Sequence, residues 1–206
     1  FSKTCNFRCP FCHNGLTVLE SEESISFDEI ITYLKSRKGV LDAVVVSGGE
    51  PTLMPDLKEK IEVIKKLGFL VKLDTNGTNP LLLKELIDEK LIDYVAMDIK
   101  NSEEKYLATT DCKCLNMDAI KQSISIIINS GIDYEFRTTL VKEYFTKESI
   151  LELGNFIKGA KKLYLQKYVS REECINSNLN EVNEKEANEY ASLLKLYIDD
   201  VELRGY

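Results

Sequence analysis

The interpretation of this chain begins with Cys5-Asn6-Phe7-Arg8-Cys9-Pro10-Phe11-Cys12, three thiols in a C-x3-C-x2-C spacing near the N-terminus. Cysteine thiolates are the usual protein ligands of iron–sulfur clusters. A cubane cluster has four irons, so three thiolates leave one iron without a protein ligand. An open coordination position distinguishes a reactive metal centre from a closed structural one. The spacing therefore predicts a cluster that can bind a further ligand.

A structural zinc site is the main alternative for these thiols. Tetrahedral zinc needs a fourth ligand, typically from a second C-x2-C pair or from paired histidines. The one histidine, His13, is adjacent to Cys12 and badly placed to complete such a site. Cys112 or Cys114 could supply a fourth thiol, so zinc remains open. With Cys174 these two make a poor ligand set for an auxiliary cluster, and free cysteines in a reducing compartment are the simpler interpretation.

The composition is that of an ordinary globular chain. Its 206 residues are 44% apolar and 30% charged, which fits one domain over residues 1–206. A formal net charge of −7 argues against nucleic acid, whose phosphates attract basic surfaces. No apolar run approaches the roughly 18 residues that cross a bilayer, so no membrane partner is expected. No signal peptide is visible, and we expect a cytoplasmic protein whose start is trimmed, because the chain begins at Phe1.

Downstream of residue 26, amphipathic helix patterns alternate with short apolar strand patterns. Such alternation predicts parallel strands joined by crossover helices. A first strand is expected mostly upstream of Phe1, which makes six units, too few for a closed eight-stranded barrel. A short extended tail is expected at 201–205, and the gap from Asn101 to Asn116 is expected to be a surface excursion. The five predicted strands cover residues 42–46, 69–73, 94–99, 134–140 and 162–166.

A glycine pair and a carboxylate follow the first of these strands, in Ser47-Gly48-Gly49-Glu50-Pro51-Thr52. Glycines let the backbone approach a ligand with no side chain in the way. A carboxylate at the carboxyl end of a parallel strand lies where α/β folds bind substrates. A plain strand-to-helix turn is the alternative, and it would be favoured if this stretch stood alone.

Other predicted strands carry polar residues in the same manner. Asp74-Thr75-Asn76-Gly77 ends one strand, and Asp98-Ile99-Lys100 ends the next. Because the carboxyl ends of parallel strands share one edge of a sheet, we expect these side chains at a common mouth. Solvated turns and helix caps also favour Asn and Asp, so that alternative stays open. Arg137 could either serve the same mouth or form an internal ion pair with Glu135 or a neighbouring acid.

The cysteine stretch and the Gly-Gly-Glu stretch together resemble the radical S-adenosylmethionine (radical SAM) superfamily. The resemblance implies an α/β fold, namely a partial (β/α)6 TIM-like barrel of parallel strands with outer helices. It also implies that a [4Fe–4S] cluster is ligated by Cys5, Cys9 and Cys12. The open iron of that cluster would be chelated by the amino and carboxylate groups of SAM.

The same resemblance implies which residues contact SAM. Gly48-Gly49-Glu50 would contact the methionine ammonium, and the backbone at Phe11 would approach the adenine. Asp98 and Lys100 would contact the ribose and the carboxylate, while a guanidinium such as Arg137 can bind a carboxylate through two bonds. The complete set of candidate cofactor-binding residues is Phe11, His13, Gly48, Gly49, Glu50, Asp74, Asn76, Asp98, Lys100 and Arg137.

Within the superfamily, the chain looks most like the activases of glycyl radical enzymes, in particular the activating protein of anaerobic ribonucleoside-triphosphate reductase. Cys9-Pro10-Phe11-Cys12-His13-Asn14 and Glu135-Phe136-Arg137-Thr138-Thr139 carry this likeness, together with 203–205. The likeness implies an anaerobic oxidoreductase in which the reduced cluster splits SAM into methionine and a 5′-deoxyadenosyl radical. That radical would install a glycyl radical on a partner enzyme, and flavodoxin or ferredoxin would supply the electron. No side chain need act as a catalytic acid or base.

One departure and two alternatives accompany this hypothesis. Pyruvate formate-lyase activases carry a histidine near the end of the sixth strand, where this chain has Gln166-Lys167-Tyr168-Val169. A compact radical SAM enzyme acting on a small molecule, such as a pterin-like substrate of deazaguanine biosynthesis, would have a similar core. A non-enzymatic electron-transfer or structural metal-binding protein would bind a metal centre without a SAM-dependent change in its paramagnetic resonance signal.

Overall fold

The computed structural model describes residues 2–15 and 24–206, and its strands form one parallel sheet. Each strand pairs with its neighbours in chain order, whereas the first and last strands do not pair with each other. This open arrangement confirms the predicted α/β partial barrel. The strands are β1 (Ala43–Val46), β2 (Leu70–Thr75), β3 (Tyr94–Asp98), β4 (Asp133–Leu140), β5 (Lys162–Lys167) and β6 (Asp200–Arg204).

The helices connect these parallel strands. Their side chains pack with alternate strand residues, such as Val71 and Leu73, in a continuous apolar core. No described helix combines the length and the apolar character needed to cross a membrane. The helices are α1 (Phe27–Ser36), α2 (Leu57–Lys66), α3 (Pro80–Asp88), α4 (Tyr106–Thr110), α5 (Met117–Ser130), α6 (Lys147–Phe156) and α7 (Glu184–Leu194).

The C-terminal residues form a strand, where the sequence predicted only an extended tail. β6 pairs with β5 in parallel register, from Lys162 opposite Asp200 to Gln166 opposite Arg204. Val201 is buried, whereas the charged residues that alternate with it point to the other side of the strand. The tail therefore extends the sheet by one strand, and the Arg204 side chain reaches Glu135 of β4.

The segment between Asn101 and Asn116, expected to be a surface excursion, has exposed residues and also contributes buried ones to the core. Tyr106 of α4 is fully buried, and its hydroxyl donates a hydrogen bond to the Asp98 carbonyl at 3.3 Å. Its ring meets Phe7 of the cysteine segment edge-on, with the ring centroids 6.4 Å apart. The segment therefore packs against the residues that carry the cysteines.

Candidate active site

A cavity of about 290 Å3 opens at the carboxyl edge of the sheet, beside the cysteine segment. All the candidate site residues predicted from sequence line this cavity, with the exception of Glu50. Sequence reasoning missed further lining residues, which it had assigned no role. These residues are Phe7, Asn14, Ser47, Thr75, Thr139 and Gln166.

The three N-terminal thiols share this cavity. Cys9 is buried, and burial raises the pKa of its thiol to about 12, although Lys100 acts in the opposite direction. Cys5 and Cys12 also act to raise that pKa, as neighbouring thiolates do. A bound metal displaces the proton and removes the need for a low thiol pKa. The donor set therefore suits a thiolate-bound metal centre.

The spacing of these donors bears on the zinc alternative. Within residues 2–15 and 24–206, no three His, Cys, Asp or Glu side chains are close enough together to hold a single metal ion. A cubane cluster does not require such close convergence, because each thiolate binds a different iron. Cys5, Cys9 and Cys12 line one cavity, an arrangement that a cluster bound through three different irons can use.

Gly49 allows the cysteine segment to lie against the end of β1. A Cβ atom on Gly49 would be 2.2 Å from the Thr4 carbonyl oxygen. Backbone hydrogen bonds fix this approach, since Gly49 N donates to the Ser2 carbonyl at 2.8 Å and Glu50 N donates to the Thr4 carbonyl at 2.6 Å. Gly49 was predicted to allow a ligand to approach; in the structure it allows the backbone of Thr4 to approach.

Gly48 holds the other end of the cysteine segment. Its φ of +132° lies in a region that residues with a side chain rarely adopt. Its carbonyl oxygen accepts a hydrogen bond from Asn14 Nδ2 at 3.1 Å. Gly48 and Gly49 thus bind the polypeptide on both sides of the three cysteines.

Glu50 lies beneath the cavity and is not part of its wall. It is fully buried. Its carboxylate accepts four hydrogen bonds, at 2.6–3.1 Å. The donors are the Thr52 backbone N–H, the Thr52 hydroxyl, the Thr75 hydroxyl and the Asn76 backbone N–H. Burial raises its pKa, whereas these donors oppose the rise. Glu50 therefore joins the end of β1 to the end of β2, and its contact with a ligand stays a prediction.

Four charged side chains meet in the lining of the cavity. Arg137 Nε is 2.8 Å from Asp98 Oδ1, and Arg137 Nη1 is 3.3 Å from Asp74 Oδ2. Lys100 Nζ is 3.1 Å from Asp98 Oδ2 and 5.9 Å from the centre of the Phe11 ring. The two acids and two bases balance in charge. Arg137 thus forms the ion pair that sequence left open, but with these two acids and not with Glu135.

Asp74 retains an unmatched acceptor. Its Oδ2 accepts a hydrogen bond from the Ser47 hydroxyl at 2.9 Å, whereas its buried Oδ1 has no hydrogen-bond partner among the described residues. The Lys72 ammonium, which lies outside the cavity lining, is 3.7 Å from this oxygen. Asp74 and Asp98 nevertheless place carboxylates in the lining, which suits a ligand with ammonium and hydroxyl groups.

Asn76 and His13 lie at the rim and contact other protein groups. Asn76 Nδ2 donates to Asn6 Oδ1 at 2.8 Å and lies 4.0 Å from Cys5 Sγ, which ties the end of β2 to the cysteine segment. His13 Nε2 is 2.8 Å from the Val169 carbonyl oxygen, and its ring stacks on Tyr168. Asn76 and His13 therefore line the cavity and also contact other protein groups.

Strand periodicity could have identified two of the missed lining residues, Thr139 and Gln166. Thr139 follows Arg137 by two positions on β4, so both side chains lie on the same face. Gln166 is near the end of β5 and is paired with Thr139 in the parallel register. These residues extend the cavity lining onto β4 and β5.

The charged wall predicts a specific acid sensitivity. Burial raises the pKa of Asp98, but Arg137 and Lys100 lower it by more, to about 2. The unfolded-state value is about 3.9, so ionised Asp98 contributes stability that is present above that pH and is lost as the pH falls through the folded value. We expect the free energy of unfolding, measured with urea from about pH 5 to about pH 2, to fall less steeply in Asp98→Asn. The matched control is Asp88→Asn on the surface, which should retain the wild-type slope.

Comparison with known proteins identifies the family whose sequences resemble this chain. Residues 1–157 match the sequence profile of the radical SAM superfamily. Over 207 residues the chain is 35% identical to a proposed glycyl-radical enzyme activating enzyme of Methanocaldococcus jannaschii, covering 97% of this chain and 85% of that protein.

Solved structures share the fold at low sequence identity. SuiB of Streptococcus suis, crystallised with S-adenosylmethionine, matches 99% of this chain with a TM-score of 0.74 and 14% identity. This chain covers 49% of SuiB, about half its length. A domain of the pyruvate-formate lyase-activating enzyme from Bacteroides vulgatus matches 80% of this chain and 99% of its own length, with a TM-score of 0.63 and 19% identity.

Proposed function

Since the chain belongs to the radical SAM superfamily, we propose that it cleaves S-adenosylmethionine reductively and installs a glycyl radical on a partner enzyme. The observation that carries the proposal is one cavity lined both by three thiols and by paired acids and bases. A [4Fe–4S] cluster with SAM bound would supply the electron transfer that yields methionine and a 5′-deoxyadenosyl radical.

The proposal assigns the metal ligands to Cys5, Cys9 and Cys12. Burial of Cys9 beside Lys100 excludes water from that side and places a positive charge near the thiolate. Such a charge stabilises electron density on sulfur, one of the means by which a protein adjusts cluster potential. This chain therefore contributes ligands, burial and one nearby cation to the centre.

The same proposal assigns SAM to the remaining cavity. Arg137 and Lys100 lower the pKa of Asp98, and Asp74 has one oxygen without a hydrogen-bond partner among the described residues, so both carboxylates can accept hydrogen bonds from ligand hydroxyl or ammonium groups. Lys100 and Arg137 can bind a carboxylate. The backbone of Phe11, Gly48, Gly49 and the rim residues Asn76 and His13 would complete the contacts. Glu50 would act indirectly, by fixing the strand ends.

A glycyl radical enzyme is the proposed protein substrate, with anaerobic ribonucleoside-triphosphate reductase as the specific partner. The whole-length similarity to the Methanocaldococcus jannaschii protein supports the activase class. A low-potential donor such as flavodoxin or ferredoxin would supply the electron, in the reducing cytoplasm where free thiols persist. The sequence likeness at Glu135-Phe136-Arg137-Thr138-Thr139 supports the reductase as partner.

The test mixes anaerobically reconstituted protein with SAM, a chemical reductant and a candidate reductase. We expect 5′-deoxyadenosine to form and a glycine-centred radical to appear by electron paramagnetic resonance on the partner. The control is the same partner with its radical-bearing glycine replaced by alanine, which should give 5′-deoxyadenosine without that radical. SAM-dependent turnover of a free pterin-like molecule, with no radical on any reductase tested, would favour the small-molecule alternative instead.

A further inference from the structure

A second group of charges lies on the same face of the sheet as Arg137, further from the cavity mouth. Glu135 precedes Arg137 by two residues on β4, and 6% of its side chain is exposed. Arg204 of β6 donates two hydrogen bonds to the Glu135 carboxylate, at 3.0 and 3.2 Å. The Arg204 guanidinium in turn lies 3.6 Å from the centre of the Tyr164 ring. Glu135 is therefore fixed by a residue of the last strand.

Lys72 connects this pair to the cavity. Its Nζ is 3.4 Å from Glu135 Oε1 and 3.7 Å from Asp74 Oδ1, so the ammonium is shared between the two acids. Asp74 is also the acid that Arg137 contacts at 3.3 Å. Asp74 thus contacts two cations through different oxygens, Lys72 at Oδ1 and Arg137 at Oδ2.

We propose that Glu135 is a positioning residue for the cofactor cavity, which draws Lys72 away from Asp74 and leaves Asp74 to orient Arg137. The inference rests on the proposed function, because it takes Asp74 and Arg137 to contact SAM. Without the Glu135 charge, Asp74 is the acid that remains beside Lys72. The ammonium then moves toward Asp74, neutralises it and weakens its hold on the guanidinium.

Glu135→Gln tests this coupling, since it removes the charge and retains the shape. We expect the SAM dissociation constant, measured by equilibrium dialysis on reconstituted protein, to rise about tenfold, as is typical for residues in one ion-pair network. The cleavage rate at saturating SAM should stay close to wild type, because the reacting groups are intact. In cluster-free protein, the nitrogen-15 resonance of the Arg137 Nε–H group should shift, which reports the geometry independently of activity.

A second substitution separates positioning from general damage. Lys72→Met in the Glu135→Gln background removes the competing ammonium, so SAM affinity and the Arg137 resonance should return toward wild type. The matched control is Glu85→Gln, which breaks the exposed pair with Lys58 and should change neither readout.

The outcomes distinguish this inference from the proposed function. If Glu135→Gln binds SAM like wild type, or if the double variant fails to recover although both are folded by circular dichroism, Glu135 does not act through Lys72. If reconstituted wild-type protein does not cleave SAM at all, the proposed function fails. The Arg137 resonance and its recovery would still decide whether Glu135 positions the cavity.

Discussion

Cys9→Ala is expected to abolish SAM cleavage while leaving the fold largely intact. Of the three thiols, Cys9 is the most buried, and it interacts with the other two and with Lys100. A cluster that loses one of three ligands exposes a second iron and is readily lost. The wild-type protein should bind about four irons per chain after anaerobic reconstitution, and the variant markedly fewer. Iron analysis, the paramagnetic resonance signal and 5′-deoxyadenosine release measure these effects.

Cys114→Ala is the matched control for that experiment. Cys114 is exposed and does not line the cavity, so its loss should alter neither iron content nor SAM cleavage. The cluster assignment would be wrong if Cys9→Ala cleaved SAM at the wild-type rate. It would be equally wrong if wild-type protein, prepared anaerobically, held zinc in place of iron.

The sequence predicted the parts of the site that depend on local pattern. The C-x3-C-x2-C spacing predicted a metal centre, which stays a proposal, and the polar ends of the strands predicted where the cavity lies. Asp98, Lys100 and Arg137 do meet, as the shared edge of a parallel sheet requires. These predictions succeeded because strand direction alone fixes which ends come together.

The contacts that the sequence did not predict are long-range ones. Residues 201–205 were expected to form a short extended tail, yet Arg204 pairs with Glu135, a residue 69 positions earlier in the chain. The sequence also did not indicate that the hydroxyl of Thr75 and the backbone of Asn76 would donate to the Glu50 carboxylate. No periodicity or propensity shows which distant donor a carboxylate will find. The tertiary fold decides that question.

Gly49→Ala should disrupt the metal centre although the substitution adds a single methyl group. The new Cβ would lie 2.2 Å from the Thr4 carbonyl oxygen and 2.6 Å from its carbonyl carbon, and backbone atoms cannot rotate away. The segment that leads to Cys5 must therefore move. Overpacking of this kind costs about 1–3 kcal/mol in unfolding free energy. We expect that loss together with poor iron retention after reconstitution, measured by urea unfolding and iron analysis.

Gly131→Ala separates the displacement of the cysteine segment from a general loss of stability. Gly131 ends α5 with a φ of +77°, and a Cβ there would meet nothing within 4 Å. Its substitution should cost about 1–2 kcal/mol through backbone strain, because L-residues disfavour this conformation. Iron content should nevertheless remain at the wild-type level. If both variants lost iron in proportion to their loss of stability, the specific contact between Gly49 and Thr4 would not be what holds the cysteines in place. Iron loss confined to Gly49→Ala would show that the glycine pair sets the position of the cluster ligands.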